Sequence, residues 1–225
     1  SYIEEIWAYG YWAIDRCARI IKEGASFKEV TKGDLTEVEG CIAQAYAIKA
    51  LCSFYLTNMF GLPYSEANKT TLGIVNVTEP VPAYSQVSRV SVEQNYSLIL
   101  DDITKAKEYY AKEGVENVGK QYMNTAAVAA LEARVKLYMK NYEGAITAAQ
   151  EAITLSGGTI VSTKEDYKNM YTTLAVSTED IFFIAKAEDD YLSANALNTL
   201  WNKYGLSINL SLIHISEPTR HAQIS

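Results

Sequence analysis

Histidine is nearly missing from this chain of 225 residues: only His214 and His221 occur, both close to the C-terminus. A Ser-His or Cys-His nucleophile pair, or a zinc site built on imidazole, therefore has no imidazole to use in the first 213 residues. Cysteine is also scarce. Cys17, Cys41 and Cys52 sit inside helical patterns without CxxC spacing, which fits packed thiols and neither a zinc cluster nor a disulfide framework. No run of Lys and Arg is present, and the net charge of -7 with a pI near 5.0 makes nucleic acid and anionic membrane surfaces poor partners. No apolar run approaches the roughly 20 residues that span a bilayer. The opening SYIEEIWAYGYW has neither the basic start nor the cleavage site of a signal peptide and reads as the inside of a helix.

What is present is a strongly apolar chain, 48% hydrophobic, with 17 tyrosines, enough to bury a real core. In the first helix Ile6, Tyr9, Ala13, Cys17 and Ile20 form the expected stripe, which stops near Gly24, and Trp12 lies off it. The stretch AYAIKALCSFYLTNMFGLPY, Ala45 to Tyr64, carries one stripe at Ala45, Ile48, Cys52, Tyr55 and Met59 and a second at Ala47, Leu51 and Phe54. This second helix is therefore expected to be covered on more than one side. Gly61 suits a left-handed cap and Pro63 forbids a further turn, so the chain leaves extended and presents Tyr64 to the next segment.

From Ser65 to Arg89 the composition changes to Thr, Val, Pro and Asn, which predicts a long irregular connection with one short strand at Gly73 to Val77. Ser91 and Gln94 read as a capping box for a third helix with the stripe Tyr96, Ile99, Ile103, Ala106 and Tyr110. Asn124 caps a fourth helix bearing Val128, Leu131, Val135 and Tyr138; after a turn at Lys140-Asn141, a fifth bears Ala145, Ala148, Ala152 and Leu155 up to Gly157-Gly158. In this last pair Ala133, Ala145 and Ala152 match the small-residue positions of a tetratricopeptide hairpin, with Tyr142 as the aromatic at its turn, while Glu132 and Lys136 replace the usual Leu and aromatic. Beyond Gly158 the helical period fades, and DIFFIA, Asp180 to Ala185, reads as a short buried strand. The fold class is all-α: tetratricopeptide-like hairpins with a long irregular loop and a small strand and loop region after residue 158.

Tyr9, Tyr55, Tyr96 and Tyr138 lie on helical stripes and are expected in the core. Trp7 and Trp12 are expected to pack against a preceding segment. Tyr191, Asn195, Trp201 and Tyr204 come after DIFFIA in polar sequence without a settled period, which makes them the candidate ligand contacts. Asp101 and Asp102 are helix neighbours whose side chains diverge, which reads as a solvated face. The cluster Glu188, Asp189 and Asp190 lacks the opposed geometry of a glycosidase pair and the spacing of an EF-hand. No catalytic residue, metal or cofactor is expected. The segment Leu210 to Arg220, LSLIHISEPTR, resembles the translation of a sequencing-library adapter, so residues 1-209 are read as the fold and 210-225 as a non-native tail.

The order and spacing of AYAIKALCSFYLTNMFGLPY, VSRVSVEQNYSLILDDITKA, ALEARVKLYMKNYEGAITAAQEAI and STEDIFFIA resemble the SusD/RagB family of outer-membrane nutrient-binding lipoproteins over residues 1 to about 206. The resemblance implies a fragment of the N-terminal half of a longer, lipid-anchored protein. It further implies glycan binding at the cell surface, a SusC-like TonB-dependent transporter as partner, an oligosaccharide or polysaccharide ligand, and a ligand face made by loops outside the helical repeats. Two other readings remain open: a tetratricopeptide scaffold for proteins, and a carbohydrate-active enzyme.

Overall fold

The structure, a computed structural model, describes residues 2-30, 33-172 and 176-185. The chain divides into two compact units, Ser1–Ile184 and Ala185–Ser225. Apart from Ala185 the second unit lies outside the described residues, as do Tyr191, Asn195, Trp201, Tyr204, the 188-190 cluster and the 210-225 tail.

Six helices are described: α1 (Tyr2–Val30), α2 (Thr36–Phe60), α3 (Val92–Tyr110), α4 (Thr125–Tyr138), α5 (Tyr142–Ser156) and α6 (Lys164–Thr172). Neighbours in sequence pack as neighbours in space, α1 on α2, α2 on α3, α3 on α4 and α4 on α5. As expected, α2 is covered on two sides. Ala43, Ala47, Ala50 and Phe54 enter the core shared with α3 and α4, while Leu56 enters a second core with Ile14 and Ala18 of α1.

Helix α1 departs from expectation in length and in face. It runs on through Gly24 to Val30; a Cβ at Gly24 would stand 2.8 Å from Ile42 of α2, and one on Gly10 2.9 Å from Leu56. The two glycines let α1 approach α2 closely. The buried stripe is Ile14, Cys17 and Ala18, and the expected Ile6, Tyr9 and Ile20 are exposed. Gly61 is likewise not left-handed: its φ and ψ are -105° and 172°. What it meets is backbone, with a Cβ only 2.7 Å from the Thr57 carbonyl, so close approach rather than a positive φ calls for glycine there. Tyr64 leaves the turn to pack on Tyr96, ring centroids 4.9 Å apart.

In α3, Ser91 and Gln94 close the capping box, and Tyr96, Ile99, Ile103, Ala106 and Tyr110 are all buried. In α4 and α5 the caps Asn124 and Asn141 accept bonds from Ala127 N and Gly144 N. Ala145, Ala148 and Ala152 are buried and Ala133 half-buried, the close helix contact of a hairpin. The turn between them holds Lys140 at φ 62°, and Gly157 ends α5 at φ 59°. The departures Glu132 and Lys136 have a purpose here. Glu132 accepts from Lys136 at 2.5 Å and from Lys107 of α3 at 2.5 Å, and Lys107 also reaches Glu151 of α5 at 2.6 Å, so one cluster ties three helices. A similar cluster ties α1 and α2 to the end of α3: Lys28 of α1 and Lys112, just past α3, both donate to Glu39 of α2 at 2.6 Å and lie over the Tyr109 ring.

Helix α6 has no counterpart in the helical periodicity of the sequence. It is only nine residues long, with Tyr167, Met170 and Tyr171 sharing one face among polar residues; Thr163 caps it through Asp166 N at 3.0 Å. Among the described residues there is no strand, and DIFFIA is instead an irregular segment whose backbone bonds outward at Phe183 N to Lys120 O, 3.0 Å, with a local turn bond from Asp180 N to Ser177 O, 3.3 Å. Ile181 and Phe182 pack on the main core from it.

Candidate functional site

The segment Gly73 to Val77 is held by side chains of α1, α2 and α3 that bond its backbone. It is strand-like in conformation, with a single isolated bridge nearby, Leu72 to Ser91. Asn95 of α3 accepts from Ile74 N at 2.8 Å and donates to Ile74 O at 3.2 Å. Tyr11 of α1 donates to Val75 O at 3.0 Å and accepts from Val75 N at 2.8 Å. Lys49 of α2 donates to Val77 O at 3.3 Å. Arg89 donates to the carbonyls of Gly73, Leu72 and Phe60. Buried backbone groups need partners: the backbone of Val90 serves Gly73 N at 2.7 Å and Ile74 O at 3.0 Å, and side chains serve the groups that follow. Gly73 is required for this: a Cβ would lie 1.9 Å from Asn95 Oδ1.

Clamped this way, the loop forms one wall of a cleft of about 350 Å³, with Val75, Val77, Val81 and Val87 facing Trp7, Tyr11, Trp12, Asp15 and Arg19 of α1. Trp7 is held between Tyr11 and Phe60, each 4.8 Å away by ring centroid. Trp12 is 58% exposed and meets Tyr9 edge-on at 5.3 Å. Arg19 Nε donates to Asp15 at 2.7 Å, fixing a cation and an acceptor beside the aromatic faces. Burial pushes the Tyr11 hydroxyl up to about 12, so it stays protonated and keeps donating to Val75 O.

This combination suits a sugar ring, which offers apolar C–H faces to aromatic rings and hydroxyls to fixed polar groups. It does not suit glycoside hydrolysis, which needs two opposed carboxylates; Asp15 is the single carboxylate among the lining residues and is tied to Arg19. Among the described residues no cluster of three or more His, Cys, Asp or Glu is placed to hold a metal, and no helix is long and apolar enough to cross a membrane. A second groove, about 510 Å³, lies between Tyr55, Arg134 and Phe182, with Arg134 Nη1 donating to the Tyr55 hydroxyl at 3.0 Å.

Two expectations are corrected by the site. Of the tyrosines assigned to the core only Tyr96 is buried; Tyr9, Tyr55 and Tyr138 are about half exposed or more, at 61%, 49% and 49%. Tyr55 lines the second groove, and Tyr9 touches the cleft residue Trp12. Asp101 is solvated but Asp102 is not: its side chain and that of Lys49 are each 3% exposed and joined at 2.9 Å.

The fold is all-α, a stack of helices packed in sequence order with one long loop held against them. Residues 1–137 match the SusD-like family described as starch-binding and associating with the outer membrane, and the chain belongs to that family. Among solved structures it is similar to a SusD superfamily protein from Bacteroides thetaiotaomicron VPI-5482, with 23% identity, TM-score 0.79, and coverage of 95% of this chain and 48% of that one. A SusD superfamily protein from Bacteroides vulgatus ATCC 8482 has 25% identity, TM-score 0.76, and coverage of 88% and 45%. Surface glycan-binding protein A from Bacteroides fluxus has 23% identity, TM-score 0.55, and coverage of 74% and 32%. The chain thus spans about half the length of the first two and about a third of the last. No curated protein sequence matches it.

Proposed function

We propose that the protein binds carbohydrate at the cell surface, as the lipid-anchored partner of a SusC-like TonB-dependent outer-membrane transporter, and performs no chemistry on its ligand. The observation that carries this reading is the family match over residues 1–137, a span that contains every lining residue of the α1 cleft. The glycan-binding character of the similar Bacteroides fluxus protein supports it. The cleft supplies one stacking edge through Trp12, and Tyr191, Asn195, Trp201 and Tyr204 are proposed as further ligand contacts. Residues 1-209 belong to the binding protein and 210-225 do not. The Tyr55 groove supports one other reading, a scaffold that takes a peptide between α2 and α4.

Calorimetric titration with maltoheptaose and laminarihexaose tests the first reading, using the whole chain and its Trp12→Ala and Trp201→Ala variants. Saturable binding that weakens about five- to tenfold in Trp12→Ala is expected from the loss of one stacked aromatic. Silence with every glycan, alongside peptide binding lost in Arg134→Ala, would transfer the function to the scaffold reading. Release of reducing sugar would contradict the absence of catalysis.

A further inference from the structure

Behind the cleft wall lies a charge pair that neither helix packing nor the binding surface accounts for. Lys49 and Asp102 are sealed between α2, α3 and the crossing loop, and Asp102 Oδ2 is buried without a hydrogen-bond partner among the described residues. Replacing such a pair by apolar residues is often neutral or stabilising, so stability alone does not account for its presence. A role is visible in the third group that Lys49 holds. Its ammonium is shared between Asp102 Oδ1 and the carbonyl of Val77, and Val77 lines the cleft.

We propose that the Lys49–Asp102 pair positions the cleft wall through the Val77 carbonyl, so that ligand affinity follows the charge on Asp102. The part of this that concerns affinity rests on the carbohydrate reading above; the part that concerns the wall does not.

The groups facing the pair are Tyr46 from α2, Cys17 from α1 and Asp101 from α3, with Cys52 of α2 beside Cys17. Burial raises Cys17 to about 12 and also raises Cys52 and Tyr46, so none of these three changes charge near neutrality. Asp102 does. Burial pushes its carboxyl up to about 6, against the smaller downward pull of Lys49. A proton arriving at that pH has a seat on the unpartnered Oδ2. Lys49 then faces a neutral acid, its hold between Oδ1 and Val77 O weakens, and the wall formed by Val75 and Val77 loosens.

Stability runs the other way, which separates positioning from mere structure. The folded chain takes up a proton that the unfolded chain, with its usual aspartate near 3.8, does not, so the contribution of Asp102 to stability grows as pH falls from about 6 to about 4. Affinity should fall across the upper part of the same window. A pair with only a structural role would move stability and leave affinity alone.

The test is a pH titration of the whole chain from 5 to 8, following the backbone amide resonances of Val75, Asn76 and Val77 together with maltoheptaose affinity. In the unaltered protein the amides should shift with a midpoint near 6. Affinity should drop about tenfold on the acid side, the order of one hydrogen bond to a charged group. Asp102→Asn should flatten both profiles. Should that variant not fold, the charge-free, similarly sized pair Lys49→Met with Asp102→Leu serves in its place. Amides that stay fixed in the unaltered protein, or that titrate identically in the variants, overturn the proposal, as does an amide titration with affinity constant in pH. If no glycan binds at any pH the carbohydrate reading falls, and the amides of Val75 to Val77 still decide whether the pair governs the wall.

Discussion

Asp102 and Glu132 each meet a lysine across a helix interface, one between α2 and α3 and the other between α3 and α4, yet their protons are held in opposite senses. Burial raises both carboxyls. For Asp102 that effect wins, because a single lysine bonds one oxygen and the other is left bare. For Glu132 the bonds from Lys107 and Lys136, one to each oxygen, outweigh it and hold the carboxyl below the usual carboxylate range. Exposure explains much of the contrast, 3% for the Asp102 side chain against 15% for Glu132. A carboxylate opposite a lysine is thus not one kind of feature. At the α4–α5 hairpin it clips helices that already fit through alanine contacts, and at the α2–α3 seam it holds a backbone carbonyl of the loop that makes the cleft.

The seam should be the more fragile of the two. Truncation by Lys49→Ala leaves Asp102 buried without its counter-ion and frees the Val77 carbonyl. A loss of about 3–5 kcal/mol is expected, the usual penalty for removing one member of a buried pair. Urea unfolding at pH 7 measures it; a loss under about 1 kcal/mol would mean that water reaches the pair and that the two regions do not differ in kind.

Next in size is the hairpin itself. Ala148 is 2% exposed on the α5 face that meets α4. Ala148→Leu adds three carbon atoms where the helices touch, and overpacking of this sort costs about 1–3 kcal/mol. The cleft, built on α1 and the crossing loop, should keep its ligand affinity in this variant, whereas Lys49→Ala should lose both stability and affinity. Equal losses of affinity in the two variants would show that the hairpin supports the site as well.

How legible these regions are in the sequence obeys the same division. The hairpin and α3 are local: caps, small residues and a five-residue apolar stripe all lie within a few turns, and all stand where periodicity puts them. The fold class and the two-sided burial of α2 come from such patterns. The cleft is not local. Its wall depends on Tyr11, Lys49 and Asn95 reaching one segment from three helices, and no spacing rule links residues 64 or 28 positions apart. On α1 apolar residues occur on nearly every face, so several stripes fit the helical period and the glycine contacts with α2 select among them. One signal is nevertheless present. Asp102 lies three residues after Ile99 and four before Ala106, squarely on the buried stripe of α3, so its charge belongs to the core by the rule that places its neighbours.

The smallest expected effect sharpens the contrast most, because it depends on sign. Glu132→Gln removes the acceptor charge between Lys107 and Lys136, but Lys107 keeps Glu151 and both lysines are partly open to water. At pH 7 the loss should be below about 1 kcal/mol and should shrink further in high salt. Its pH dependence is fixed by the lowered carboxyl. The stabilisation is fully present above the unfolded glutamate value of 4.5 and disappears as pH falls through the lower folded value, so the difference between Glu132→Gln and the unaltered protein closes on acidification. Asp102→Asn should behave inversely. The stability that Asp102 draws from binding a proton exists on the acid side and is lost as pH rises through about 6, so this variant lacks the acid-side gain. Denaturant midpoints for the three proteins followed from pH 7 down to about pH 3 give both slopes in one experiment. Slopes of the same sign would mean that the Asp102 site is wet, and that the seam is only a larger version of the clip on the hairpin.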